Sequence, residues 1–197
     1  MNVSLDKFFS KYIHEQWYIP FCRYTNLSYR TIEARLVESF QFVMPEEANR
    51  HSYSLTFSSI LRDIGSTFDS VMQQLIKKSS RTKYRGGILH QLEFLKRHCP
   101  DLEKLSVGFN SNFRTILPFE RISGCPPPWW TVYNKIKHNE VEAYVLGNLE
   151  NTVKALASLA ILREMICDDA DSRIFHNIGL LYRSTDPSIS KSNRLFP

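Results

Sequence analysis

Glycine is scarce in this sequence, seven residues in 197, and there is no long biased tract. Both facts argue against a disordered or low-complexity chain. No stretch approaches the ~18 apolar residues of a membrane span. Asp6, Lys7 and Lys11 break any apolar run near the start, so no signal peptide is expected, and a soluble, cytoplasmic protein with no membrane association is. The four cysteines, Cys22, Cys99, Cys125 and Cys167, are too far apart for a zinc-type pair and do not form the pattern of a secreted disulfide framework. They read as free thiols in a reducing compartment. Gly86-Gly87 lacks the Lys-Ser/Thr pair of a phosphate-binding loop. There is no His-Glu-x-x-His, no serine nucleophile elbow and no carboxylate pair at motif spacing. Neither a metal nor a cofactor is expected. The His98-Cys99 pair, at a helix end before Pro100, reads as a structural accident.

What is present belongs to a globular protein. The apolar fraction is 43% and the aromatic fraction 13%, on a chain long enough for one domain with a real core. The net charge of +5 is compatible with an anionic partner. Its densest contribution is Lys77, Lys78, Arg81, Lys83 and Arg85, with Ser79 and Ser80 among them. That cluster is open to two readings: a solvated connector whose lysines complement a helix C-terminus, or a phosphate-binding patch.

Along the chain, Ser4 can cap a first helix carrying Leu5, Phe8, Phe9, Tyr12, Ile13 and Trp17, which Pro20 is expected to end. Tyr18, Phe21 and Tyr24 continue an aromatic surface that docks on its own domain or on a partner. Leu36, Glu38, Phe40 and Phe42 alternate with Val37, Ser39, Gln41 and Val43 as in a short strand. Pro45 and Asn49 mark a loop. Ser58 or Ser59 opens the clearest helix, with Ile60, Leu61, Ile64, Phe68, Val71, Met72, Leu75 and Ile76 as its apolar seam. After Gly86-Gly87, residues Ile88 to Leu95 form a shorter helix, and residues 106–121 read as a long irregular connection. Asn148 caps the last strong helix, with Glu150 in its first turn and an end near Cys167. The tail from Ile174 to Leu181 can dock.

The stretch richest in chemistry is Pro126-Pro127-Pro128-Trp129-Trp130-Thr131-Val132-Tyr133-Asn134-Lys135-Ile136-Lys137-His138. Pro128 suits the first position of a helix. On that helix Trp130, Asn134 and His138 fall at i, i+4 and i+8, with Lys137 beside them. An amide, an ammonium and an imidazole thus share one stripe. Trp129, Trp130 and Tyr133 are either core anchors or platforms for stacked bases.

Residues 34 to 166 resemble the HEPN superfamily of small helical domains, within a group of HEPN-like, mostly bacterial proteins. The resemblance is carried by Arg35-Leu36-Val37 to Phe40-x-Phe42-Val43, by Asn49-x-x-x-Tyr53-Ser54 before the long helix, and by Pro118-Phe119 near the end of the spacer. Trp129-Trp130-x-x-Tyr133-Asn134-x-Ile136-Lys137-His138 is the most specific block. Asn148-Leu149-Glu150-Asn151, leading into Ala155-Leu156-Ala157-Ser158-Leu159, completes it. The resemblance implies a mainly α fold, an up-and-down four-helix bundle; with the residue patterns above, the HEPN-like helical domain is expected over residues 34–183, with an N-terminal helical extension (1–33), a flexible tail (184–197) and room for one short β element. It also implies a homodimer.

Active members of the superfamily are metal-independent ribonucleases with an arginine followed four to six residues later by a histidine, commonly with Asn next to the arginine. Asn134 and His138 match that pattern, while Thr131, Val132 and Tyr133 hold no arginine. An acidic residue of the second helix would fall near Thr67, with Asp69 close by. Asn139-Glu140 stands where Asp-Arg often follows Lys-His. The expected function is therefore binding of RNA, a nucleotide or a partner protein such as an antitoxin, in a toxin–antitoxin or phage-defence setting. The alternatives are a ribonuclease with His138 as base or acid, Asn134 orienting and Lys137 supplying charge, and a purely structural module. Lys77, Lys78, Arg81, Lys83, Arg85 and Lys135 are the expected nucleic-acid contacts.

Overall fold

The computed structural model describes residues 12, 14–79, 86–109, 113, 115–120, 124–167 and 181–183. Among them are six α-helices: α1 Tyr18–Ser39, α2 Leu55–Ser79, α3 Ile88–His98, α4 Pro128–His138, α5 Glu140–Ala143 and α6 Leu149–Ile166. Single 3-10 turns stand at Glu47–Asn49, Leu102–Lys104 and Tyr144–Leu146. Two three-residue strands, β1 Val107–Phe109 and β2 Leu181–Arg183, pair antiparallel with Val107 opposite Arg183.

The seam of α2 does what its spacing dictates. Ile60, Leu61, Ile64, Phe68, Val71, Met72, Leu75 and Ile76 are all buried, and Phe57 extends the seam by one turn. The helix starts at Leu55, before Ser58 and Ser59, because Ser54 is the cap: its Oγ accepts from the Phe57 N–H at 3.0 Å. α6 is apolar almost all round and is correspondingly buried on nearly every side. Its hydroxyls tolerate burial because they turn back on their own helix, Thr152 Oγ1 to Asn148 O at 2.8 Å and Ser158 Oγ to Ala155 O at 2.7 Å. Asn148 caps it as expected, Oδ1 accepting from Asn151 N–H at 2.9 Å.

α2 and α6 form the centre; α1 packs on both from one side and α4 on both from another. Specific contacts give the directions. Arg35, late in α1, pairs with Asp63, early in α2. Tyr18, at the start of α1, donates to the Ile166 carbonyl at the end of α6 at 2.5 Å. Arg62 of α2 pairs at 2.6 Å with Glu140, just past the end of α4, while Trp130, early in α4, meets Phe68 farther along α2. Helices α1, α2, α4 and α6 therefore alternate in direction along the chain, and the expectation of a mainly helical bundle holds.

Three sequence expectations are corrected. Pro20 does not end a helix; it lies in the first turn of α1, where a missing N–H costs nothing. Residues 36–39, expected as strand, are the end of α1. The short β element instead lies at Val107–Phe109, inside the stretch expected to be irregular. Tyr18 is buried and Phe21 packs on the core, so this part of the aromatic surface docks on its own domain, whereas Tyr24 stays exposed. The first helix placed around Ser4 and most of the tail lie outside the described residues.

Candidate functional site

α4 is built as a rigid post. Pro127 is its N-cap and Pro128 its first residue, so the backbone enters at a fixed φ. The Trp129 indole N–H donates to Pro118 O at 2.8 Å and pins the loop before it. Around Phe68 of α2 gather Phe119, Trp129 and Trp130, with ring centroids 6.3, 5.5 and 6.1 Å away. Trp130 and Tyr133 stand 5.0 Å apart. Each such pair adds about 0.5–1.5 kcal/mol beyond area burial. Tyr133 lies directly on Gly65 of α2, where an added Cβ would come within 2.4 Å of its ring. Trp129, Trp130 and Tyr133 are thus core anchors, and burial removes them as base-stacking platforms.

From this root the polar stripe emerges into solvent. Trp130 is buried, Asn134 half-buried, and Lys137 and His138 exposed. Lys135 is exposed too, about 100° round the helix from Asn134. The Lys137 ammonium lies 5.6 Å from the Tyr133 ring centroid. Asn134 and His138 have no hydrogen-bond or ion-pair partner among the described residues, so His138 does not serve a buried polar group where helices meet. α4 stops at Asn139, whose φ of −149° leaves the helical region. The cations of the last turn also suit the negative end of the helix dipole. The Arg62–Glu140 pair then clamps the following turn to α2.

The second expected patch is elsewhere. Lys77 and Lys78 are exposed in the last turn of α2, while Arg81, Lys83 and Arg85 lie outside the described residues. The end of α4 sits beside Arg62, fifteen residues earlier on α2, so the lysines stand about 22 Å further along the axis. Lys77 and Lys78 therefore stand apart from the end of α4. Asp69 accepts from Gln91 Nε2 at 2.6 Å and Gln73 Nε2 at 3.0 Å, and is held as an acceptor inside the α2–α3 contact. Cys99 is fully buried, and His98 packs edge-on against Phe94, so that pair presents no nucleophile to solvent.

Two features escaped the sequence reading. Gly65 was one: a glycine inside an apolar helical seam signals close approach of another element, here Tyr133. The other is the group around Glu150, whose carboxylate takes Lys154 Nζ at 3.0 Å and lies 3.9 Å from His51 Nδ1 and 4.0 Å from Arg50 Nε. It ties the loop before α2 to the start of α6, and only the fold brings residues 50 and 150 together. Among the described residues no three His, Cys, Asp or Glu side chains are grouped to hold a metal, and no helix is long and apolar enough to cross a membrane. No family model, no curated protein and no solved structure matches the chain.

Proposed function

We propose that the chain is a HEPN-like module that works as a dimer and binds RNA through the solvent-facing end of α4, with Asn134, Lys135, Lys137 and His138 as its contacts. The observation that carries this reading is the stripe itself: an exposed imidazole and a half-exposed amide, both without partners among the described residues, on a helix fixed by buried aromatics. Lys135 and Lys137 serve as point charges for phosphate, Asn134 offers both a donor and an acceptor, and His138 adds charge when protonated. Binding takes precedence over cleavage in this reading. Metal-free cleavage needs a base, an acid and a cation converging on one phosphate; Thr131, Val132 and Tyr133 supply no arginine, and lysine lacks the bidentate fork that would replace it. A toxin–antitoxin or phage-defence role rests on the family resemblance.

Fluorescence anisotropy with labelled single-stranded RNA tests the site. Each neutralised phosphate contributes about −0.7 to the slope of log affinity against log salt. Lys135→Ala/Lys137→Ala should therefore flatten the slope by about 1.4, and His138→Ala should weaken binding. No binding by the native chain, or binding unchanged in these variants, rejects the site. RNA cleavage in the presence of chelator that disappears in His138→Ala would replace the binding reading with the ribonuclease one. Light scattering decides the dimer.

A further inference from the structure

Cys22 and Cys167 are 145 residues apart in sequence and meet where α1 begins and α6 ends. The Cys22 thiol points at the Ile166 carbonyl at 3.6 Å, and the Cys167 thiol at the Cys22 carbonyl, also at 3.6 Å. The Tyr18 hydroxyl holds the same corner from one turn earlier, on that same Ile166 oxygen. Both cysteines stand at half-exposed positions and neither is in a disulfide. The other two differ: Cys99 is sealed in the core and Cys125 is exposed.

We infer that Cys22 and Cys167 form a reversible dithiol–disulfide pair that staples the start of α1 to the end of α6. Each thiol stands 3.6 Å from a carbonyl of the other residue or of its immediate neighbour, so the bond forms if both side chains turn from those carbonyls toward each other and the Cα atoms come to about 4.4–6.8 Å. The oxidant class is a small disulfide such as oxidised glutathione. One cysteine thiolate attacks it and releases one reduced glutathione; the second thiolate then displaces the other. The two protein thiols lose two protons and two electrons, and the glutathione disulfide takes up both electrons. A dithiol reductant reverses the exchange. Because α1 also packs on α2, the bond closes a loop around the whole bundle, and it removes most freedom from the unfolded chain.

The experiment is oxidation of the full chain with oxidised glutathione, followed by thiol titration under denaturing conditions and peptide mapping. Titratable thiols should fall from four to two, with the Cys22 and Cys167 peptides joined within one chain. The Tm should rise by about 10 °C, and dithiothreitol should reverse both changes. Cys125→Ser should behave like the native chain, whereas Cys22→Ser and Cys167→Ser should each lose the cross-link and the Tm rise. The inference is overturned if both thiols stay titratable, if they are capped singly without joining, or if the bond maps to Cys99 or Cys125. Mapping on the native chain decides the matter even if a serine variant folds poorly.

Discussion

Replacing Gly65 with alanine sets two effects of opposite sign against each other. Glycine in a helix interior costs about 0.5–1 kcal/mol relative to alanine, so propensity alone makes Gly65→Ala stabilising. Geometry says otherwise. The new Cβ would lie 2.4 Å from Tyr133 Cδ2 and Cγ and 2.7 Å from Cδ1. These atoms are the root of a buried ring held between Trp130 and α2, not the free end of a flexible chain. Overpacking of this kind costs about 1–3 kcal/mol, at the upper end where the obstacle is a ring that cannot fold away. The net expectation is a loss of about 1–2 kcal/mol, read in urea unfolding as a midpoint lowered by roughly half a molar at unchanged slope. A double-mutant cycle isolates the cause. In a Tyr133→Ala background the obstacle is gone, and Gly65→Ala should turn stabilising by about 0.5–1 kcal/mol. A raised midpoint for Gly65→Ala in the native background would refute the packing argument outright.

Trp129→Phe keeps most of the ring but strands the buried Pro118 carbonyl that the indole N–H now satisfies at 2.8 Å; urea unfolding should show a loss of about 1–3 kcal/mol. Burial, ahead of the charge of Glu33, raises the Tyr29 hydroxyl well above its ordinary value. A folded pKa above the unfolded one means that this contribution is intact below about pH 10 and is lost as pH rises beyond it. Tm measured from pH 8 to 11 should therefore fall more steeply for the native chain than for Tyr29→Phe. His138→Ala should change stability by less than about 0.5 kcal/mol, because the imidazole is exposed and has no hydrogen-bond partner among the described residues; a larger loss in urea unfolding would mean the residue is structural.

How much of this was legible in the sequence depended on whether one signal dominated locally. α4 and α6 each carry an apolar pattern and a start signal that agree, and α2 has an apolar seam strong enough to place it although its cap lies one turn before the serines expected to open it. α1 was misread because its buried seam is interrupted by polar residues. Tyr18, Thr25, Tyr29, Ile32, Leu36 and Ser39 line it, and Thr25 and Ser39 hide their hydroxyls on the carbonyls of Phe21 and Leu36. With those two positions scored as polar, the helical period fades and the alternation from Leu36 to Phe42 looks like a strand. The polar stripe on α4 was legible because it is local to eleven residues. The distance separating it from Lys77 and Lys78 was not, since it depends on α4 and α2 running in opposite directions.

The same reasoning explains why the end of α4, and not its middle, is where chemistry can stand. A side chain that must meet a ligand needs exposure, but the helix bearing it needs burial to hold position. α4 meets both demands along its length. Trp129, Trp130, Tyr133 and Ile136 give it four buried anchors within two turns, and the polar residues interleave with the last of them. Asn134 and His138 therefore project from a backbone whose neighbours cannot move without opening the Phe68 cluster, while Lys135 and Lys137 flank Ile136. Loosening at Gly65 or Trp129 should accordingly reach the solvent-facing stripe through Tyr133, although neither residue touches solvent itself.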